Sequence, residues 1–190
     1  MKLLPGNETL LAIPAILKAG IPQLVSATGA IAPISAPTKA ILDSWIPKTV
    51  PENSPIAGGN ISAAVQDNLA LGLTGSQRSG SRTITSVGRG EKLTQFNFQA
   101  NVTILREGVL GAKSTFTLAK NLTRAQGVPY ILAHRLGARQ TALATVGEDW
   151  SFYYAITGQP IPGYGDGADQ TIAVNFVPKN IVNIAHALGA

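Results

Sequence analysis

The chain contains no cysteine, so neither a disulfide framework nor thiolate chemistry is open to it. Charge is also scarce. Asp, Glu, Lys and Arg make up 13% of 190 residues, about half the roughly 25% usual in soluble proteins. So few charges protect a monomer poorly against association, which points to a surface covered in an assembly. A monomer coated in Ser, Thr, Asn and Gln is the alternative. Apolar runs are short: Leu10 to Leu17 is broken by Pro14 and closed by Lys18, well under a membrane span, so no membrane partner is expected. The start, Met1 to Leu4, passes for a signal peptide only until Pro5, Gly6 and Glu8 interrupt it.

Catalytic patterns are missing too. The two histidines, His134 and His186, stand in no metal-ligand spacing. There is no Gly-x-Ser-x-Gly elbow. The glycine-rich stretch 163–167 is followed by neither a phosphate-loop lysine nor a helix signal, so it reads as a turn. Glu148 and Asp149 are adjacent, so on a strand they point to opposite faces and cannot act as a dyad. They open a strand after Gly147. The residues nominate no catalytic group, metal ligand or cofactor, and a non-enzymatic binding or assembly module is expected. The net charge of +5 comes from scattered bases with a mild cluster at Arg78, Arg82, Arg89 and Lys92. Gly and Ser separate them and no aromatic interleaves to stack a base, so a solvated loop is the first reading and weak polyanion contact the second.

The most organised stretch is 93–104. Phe96, Phe98, Ala100, Val102 and Ile104 take one parity; Gln95, Asn97, Gln99, Asn101 and Thr103 take the other. Alternation with period two is a strand with one apolar and one polar face. The polar face carries no charge, whereas solvent faces usually mix in Lys and Glu. A neutral row suits a surface that is wet but grips nothing. It equally fits a plain outer face that happens to be neutral.

Along the rest of the chain, 7–20 shows a weak helical pattern (Leu10, Leu11, Ile13, Ile16, Leu17) that Asn7 can cap and Gly20 end, with Pro14 shortening or kinking it. Residues 21–26 read as a strand, 27–37 as a loop, 38–45 as a turn of helix, and the proline-rich 46–59 as an extended loop. A strand is expected over 61–73 with a bend at Gly72 and Gly75, a flexible loop over 74–81, and a short strand over 82–87. Ser114 caps a helix from 115 to 126 whose inner face holds Phe116, Ala119 and Leu122; Gly127 and Pro129 end it. Strands follow at 128–136, at 149–157 with Trp150, Phe152 and Tyr154 on one parity, at 172–176, and at 181–188, with Pro178 breaking the run and 158–170 a loop. The fold class is mostly β: two packed antiparallel sheets, a sandwich or open barrel, with one flanking α-helix. The candidate core is Phe96, Phe98, Val102, Ile104, Phe116, Leu122, Trp150, Phe152 and Tyr154.

Three stretches, in order, resemble the major tail proteins, or tail tube proteins, of long-tailed non-contractile phages, especially those infecting actinobacteria. They are Ile34-Ser-Ala-Pro-Thr-Lys-Ala-Ile-Leu42; Ser81-Arg-Thr-Ile, Gly88 and the strand from Phe96 to Arg106-Glu107; and Tyr130-Ile-Leu-Ala-His-Arg-Leu-Gly137 with Gly147 to Gly158. The ending from Gln170 to Ala190 resembles the family's terminal strand pair. Ile41 departs from the family pattern, which has an acid there. The resemblance covers most of 34–190, so 1–33 is expected to be an N-terminal arm or extension and 34–190 the tail-tube β-sandwich domain.

The resemblance implies hexameric rings stacked into a tube, a conduit for DNA ejection in the virion tail, with an inner barrel lining the channel. Its implied partners are further copies of the chain, the tape measure protein and other tail proteins, and genomic DNA in transit without sequence-specific binding. Gln95, Asn97, Gln99, Asn101 and Thr103 become candidate lumen-lining residues. Arg78, Arg82 and Arg89 become candidates for an inter-ring loop, with 46–59 or 74–91 as the bridge. The family's channels tend to be acidic or neutral, so a net charge of +5 places the bases in loops and between rings. Alternatives are a tail-terminator or head–tail joining protein, a capsid decoration protein, or a nucleic-acid-binding β module.

Overall fold

The structure, a computed structural model, describes residues 7–47, 58–66, 69–81, 90–106, 114–163 and 170–189. The nine strands among them are β1 (Glu8–Lys18), β2 (Ile21–Val25), β3 (Ile31–Pro33), β4 (Gly59–Asn60), β5 (Ala70–Ser81), β6 (Gly90–Leu105), β7 (Pro129–Leu136), β8 (Asp149–Gly163) and β9 (Thr171–Ala187). They form one antiparallel sheet in the order β3-β2-β1-β7-β8-β9-β6-β5, with β4 against β1. Two helices accompany them, α1 (Lys39–Asp43) and α2 (Thr115–Thr123).

The expected pair of packed sheets is therefore corrected to a single sheet that curls. The reason lies in β8 and β9, which stay paired along nearly their whole length and absorb the curvature at irregularities near residues 151, 154–155 and 158–159. Pro178 sits at one of them, opposite Ala155, just before the register shifts to Tyr154 and Ile181. A missing N–H is tolerated at such a bulge, so the two short strands expected there are one. Residues 59–66 link the flanks of the curled sheet. Leu11 and Ala12 pair with Asn60 and Gly59, Val65 bridges Ile104, and the Gln66 N–H donates to the Thr103 carbonyl at 2.9 Å.

The helix read over 7–20 is strand β1, and the extension expected over 1–33 supplies β1, β2 and β3 within its described part. β1 is central and buried on both faces. Leu10 and Ala12 join one core cluster and Leu11, Ile13 and Ala15 the other. A run apolar on both faces loses its period-two signature and mimics a helical spacing. A short β3 lies inside the expected 27–37 loop, β5 occupies 70–81 where a strand and a loop were divided at 74, and β8 extends to Gly163. Residues 48–57 and 82–89 lie outside the described residues.

The first core cluster fills the concave side: Phe98, Ala100, Val102 and Ile104 of β6 meet Tyr130, Leu132, Tyr153, Val174 and Phe176, with α2 closing over them through Leu118, Ala119 and Leu122. Each of the Leu, Ile, Val and Phe side chains contributes about 1.5–3 kcal/mol by burial. The second lies on the opposite face of β1, β7 and β8, where α1 brings Ile41, Leu42 and Trp45 against Ile131, Trp150, Phe152 and Tyr154. α2 starts where its sequence says: the Ser114 hydroxyl accepts from the Thr117 N–H at 3.3 Å. Gly127 takes φ 83° after it, and its N–H donates to the Thr157 carbonyl.

Tyr130 ties α2 to the sheet by donating its hydroxyl proton to the Leu122 carbonyl at 3.2 Å. Burial pushes its phenol up to about 12 from an ordinary value of 10.0. The folded state thus holds the proton more tightly than the unfolded one. The stabilisation is complete below pH 10 and is lost as pH rises through 12, by about 2–3 kcal/mol. Base titration followed by circular dichroism should show this loss, and Tyr130→Phe should flatten the curve between pH 10 and 12. Parallel curves would place the alkaline transition elsewhere.

Where β8 crosses β9, Gly158 lies so near Asn175 that a β-carbon would stand 2.0 Å from the Asn175 carbonyl oxygen. Backbone cannot yield as a flexible side chain can. Gly158→Ala is therefore expected to cost about 2–3 kcal/mol by overpacking, read as a lower urea midpoint. An unchanged midpoint would mean that the strands separate freely there.

Candidate assembly surface

The convex side of β6 carries the neutral row. Gln99 and Asn101 are exposed, and Asn97 and Thr103 are half-buried. Their neighbours follow from register. Asn101 and Thr103 lie opposite Asn175 and Ala173 of β9, Asn101 and Gln99 opposite Ala70 and Gly72 of β5, and Asn97 opposite Gly75. Ile161 of β8 continues the rung of Ala173. None of these residues is charged, so the uncharged patch spans β5, β6, β9 and the end of β8. The other parity of β6 is core: Phe98, Val102 and Ile104 are 5%, 1% and 0% exposed. Gln95 and Phe96 lie on β6, and their side chains are outside the described residues.

The far edge of β5 pairs with no described strand, and it borders this patch. The strand is kept irregular by register shifts between Leu73 and Gly75 and between Gln77 and Arg78. A long uncovered edge is a ladder of free donors and acceptors that another chain can complete. The opposite edge is β3, only three residues long and ended by Pro33.

The described residues contain no group of three or more His, Asp or Glu side chains able to hold a metal. No described helix is long and apolar enough to cross a membrane. His134 Nε2 lies 2.5 Å from Glu8 Oε1 across β1 and β7. Among the described residues the surface thus offers an uncharged patch and a sheet edge that no described strand covers, which are features for self-association. A family model described as phage tail tube protein matches residues 11–188, nearly the whole chain. The chain belongs to the phage tail tube protein family. That makes it a structural, non-enzymatic protein of the virion tail, and it implies self-assembly with tail proteins. No curated protein matches it.

The other sequence-nominated residues are spread through this tail tube fold. Phe116 packs half-buried against the first cluster, and Leu122 lies within it. Trp150, Phe152 and Tyr154 belong to the second, with Trp150 and Phe152 stacked at 6.4 Å. Arg78 is on β5, opposite Leu93, with its side chain outside the described residues; Arg82 and Arg89 lie outside them altogether.

One polar centre was invisible to pattern reading. Arg135 on β7 is fully buried, with 0% of its side chain exposed. Its Nη1 donates to Glu148 Oε2 at 3.0 Å, its Nη2 donates to the Ala142 and Arg139 carbonyls at 2.8 and 3.1 Å, and both Nε and Nη2 reach Thr9 Oγ1. The guanidinium stands 4.8 Å from the centre of the Trp150 ring. It therefore straps the 137–148 loop onto β1, β7 and β8. The available signal was an arginine sharing a parity with Ile131 and Ala133, followed by an acid just after Gly147.

Proposed function

We propose that the chain forms hexameric rings that stack into the tail tube of a long-tailed, non-contractile phage of the kind infecting actinobacteria. In this reading the uncharged patch around Gln99, Asn101, Thr103, Ala173 and Asn175 lines the channel through which genomic DNA leaves. The observation that carries it is that this patch lies beside a sheet edge with which no described strand pairs. Edge-to-edge pairing around a ring would remove the edge and turn the separate faces into one continuous lining. DNA presents a dense row of phosphates, and each cation in the wall would hold one by counterion release. Amides, hydroxyls and small residues let the polyanion slide. Gln95, Asn97, Gln99, Asn101 and Thr103 are the proposed lining. The tape measure protein and other tail proteins would be its partners in the tail.

Negative-stain electron microscopy of the purified chain tests this. Tubes with a regular axial repeat are expected. A monomer that persists at high concentration would reject it, and single rings that never stack would favour a tail-terminator or joining protein instead. Salt-sensitive DNA affinity without any assembly would favour the nucleic-acid-binding module.

A further inference from the structure

The two ends of β1 differ in their surroundings. At its start, Glu8 pairs with Leu136, and Asp149 and the 137–148 loop lie alongside. The acidic side chains among the described residues gather toward this end. Glu8 and Asp149 lie there, Glu8 against His134 but with 47% of its side chain still exposed, Glu148 binds Arg135, and Asp43 accepts from the Ala144 N–H at 2.8 Å. Lys39 there is paired with Asp43, which leaves Arg139 as its exposed cation. At the far end, β1 turns into β2 through Ala19 and Gly20, which take φ 50° and 78°. Lys18 is exposed at this tip; Arg124 is exposed at the C-terminal end of α2, and Lys179 is exposed after Pro178, which lies in line with Ala155 and Tyr130. No acidic side chain among the described residues accompanies them.

Large aliphatic side chains are exposed at both ends, Leu136, Leu143 and Val146 among them at the end of Glu8. The tip exposes Leu17 (61%) and Ile21 (50%), with Ile16 behind them. The opposite end holds a cleft of about 250 Å³ lined by Glu8, Leu10, Val65, Leu69 and Gln140, among others. Large aliphatic side chains grouped on a protruding tip mark an interaction site more often than a solvated surface.

We propose that the β1–β2 tip of one copy, through Leu17, Lys18 and Ile21, seats in this cleft on a copy in the next ring, with Lys18 facing Glu8. The occupant is a second copy because Lys18, set between the exposed Leu17 and Ile21, complements a cleft that presents the Glu8 carboxylate beside Leu10, Val65 and Leu69, and because tip and cleft lie toward opposite ends of one strand. A contact of that kind is heterologous and repeats without closing, as axial stacking requires. The proposal rests on the tail tube reading above and names the contact that would join its rings.

The absence of cysteine makes the test clean, because introduced thiols are unique. The double variant Ile21→Cys, Gln140→Cys is purified, checked for tubes by negative stain, and treated with a short bis-maleimide. A covalent ladder running past the hexamer is expected, with no ladder from either single variant. Tubes without a ladder overturn the tip-in-cleft contact and leave the tube reading standing. A ladder that stops at the hexamer moves the contact inside a ring and overturns it as an axial joint. Neither tubes nor ladder overturns both. As an independent measure, Lys18→Glu should lose sedimentable tubes and adding Glu8→Lys in the same chain should restore them. Loss without restoration contradicts the pairing of these two residues.

Discussion

Phe98→Asp is expected to leave no folded protein, while Asn97→Lys, one residue away, leaves the fold intact. The contrast comes from the pleat: neighbouring side chains on β6 point to opposite faces. Phe98 is 5% exposed and its ring lies 5.5 Å from that of Tyr153, tilted by 45°. Removing it forfeits about 3–5 kcal/mol of packing. The carboxylate put in its place has no partner among Ala100, Val102 and Phe176, so the desolvation of a charge is added. Together these approach the whole stability of a domain, about 5–15 kcal/mol. Circular dichroism and soluble yield measure the outcome. A Phe98→Asp protein that melts with the parent would show that β6 is not held by its inner row. Asn97 is half-buried on the convex face with Gly75 opposite, which leaves room for a snorkelling lysine. If that face lines the channel, Asn97→Lys adds a ring of cations and slows DNA ejection from assembled particles. Ejection at the parental rate would take Asn97 out of the lining.

Arg135→Met should lower stability by about 3–5 kcal/mol, the usual consequence of removing one member of a buried ion pair. The methionine fills part of the volume but leaves the Ala142 and Arg139 carbonyls without their guanidinium donor and Glu148 without its counter-charge, held only by the Thr145 and Trp150 N–H groups. The strap on the 137–148 loop goes with it, so protease cleavage in that loop should rise along with the fall in urea midpoint. Arg135→Lys should recover only a fraction, since three donors on one nitrogen cannot reach partners arranged around a planar fork. Full recovery with lysine would mean that charge alone, rather than the fork, holds the loop.

How much of this was legible varies with local geometry. β6 and α2 could be read directly. One has a single buried face and so keeps its alternation, and the other carries its own cap and stop in Ser114 and Gly127. β1 could not, because layers on both sides make it apolar at every position from Leu10 to Ile13. The same double burial hides Arg135, which looks like a surface residue until the 137–148 loop folds over it.

The amino-acid sequence by itself determined the β-rich class, the family, the neutral row on β6 and the poverty in charge. These are properties of composition and of contacts within a single element. Only the tertiary structure decided that the strands make one curled sheet, that Pro178 interrupts nothing, and that Arg135 is buried under the 137–148 loop. Those features depend on pairings between residues far apart in the chain. No local period encodes which distant strand will complete a ladder or which loop will bury a charge.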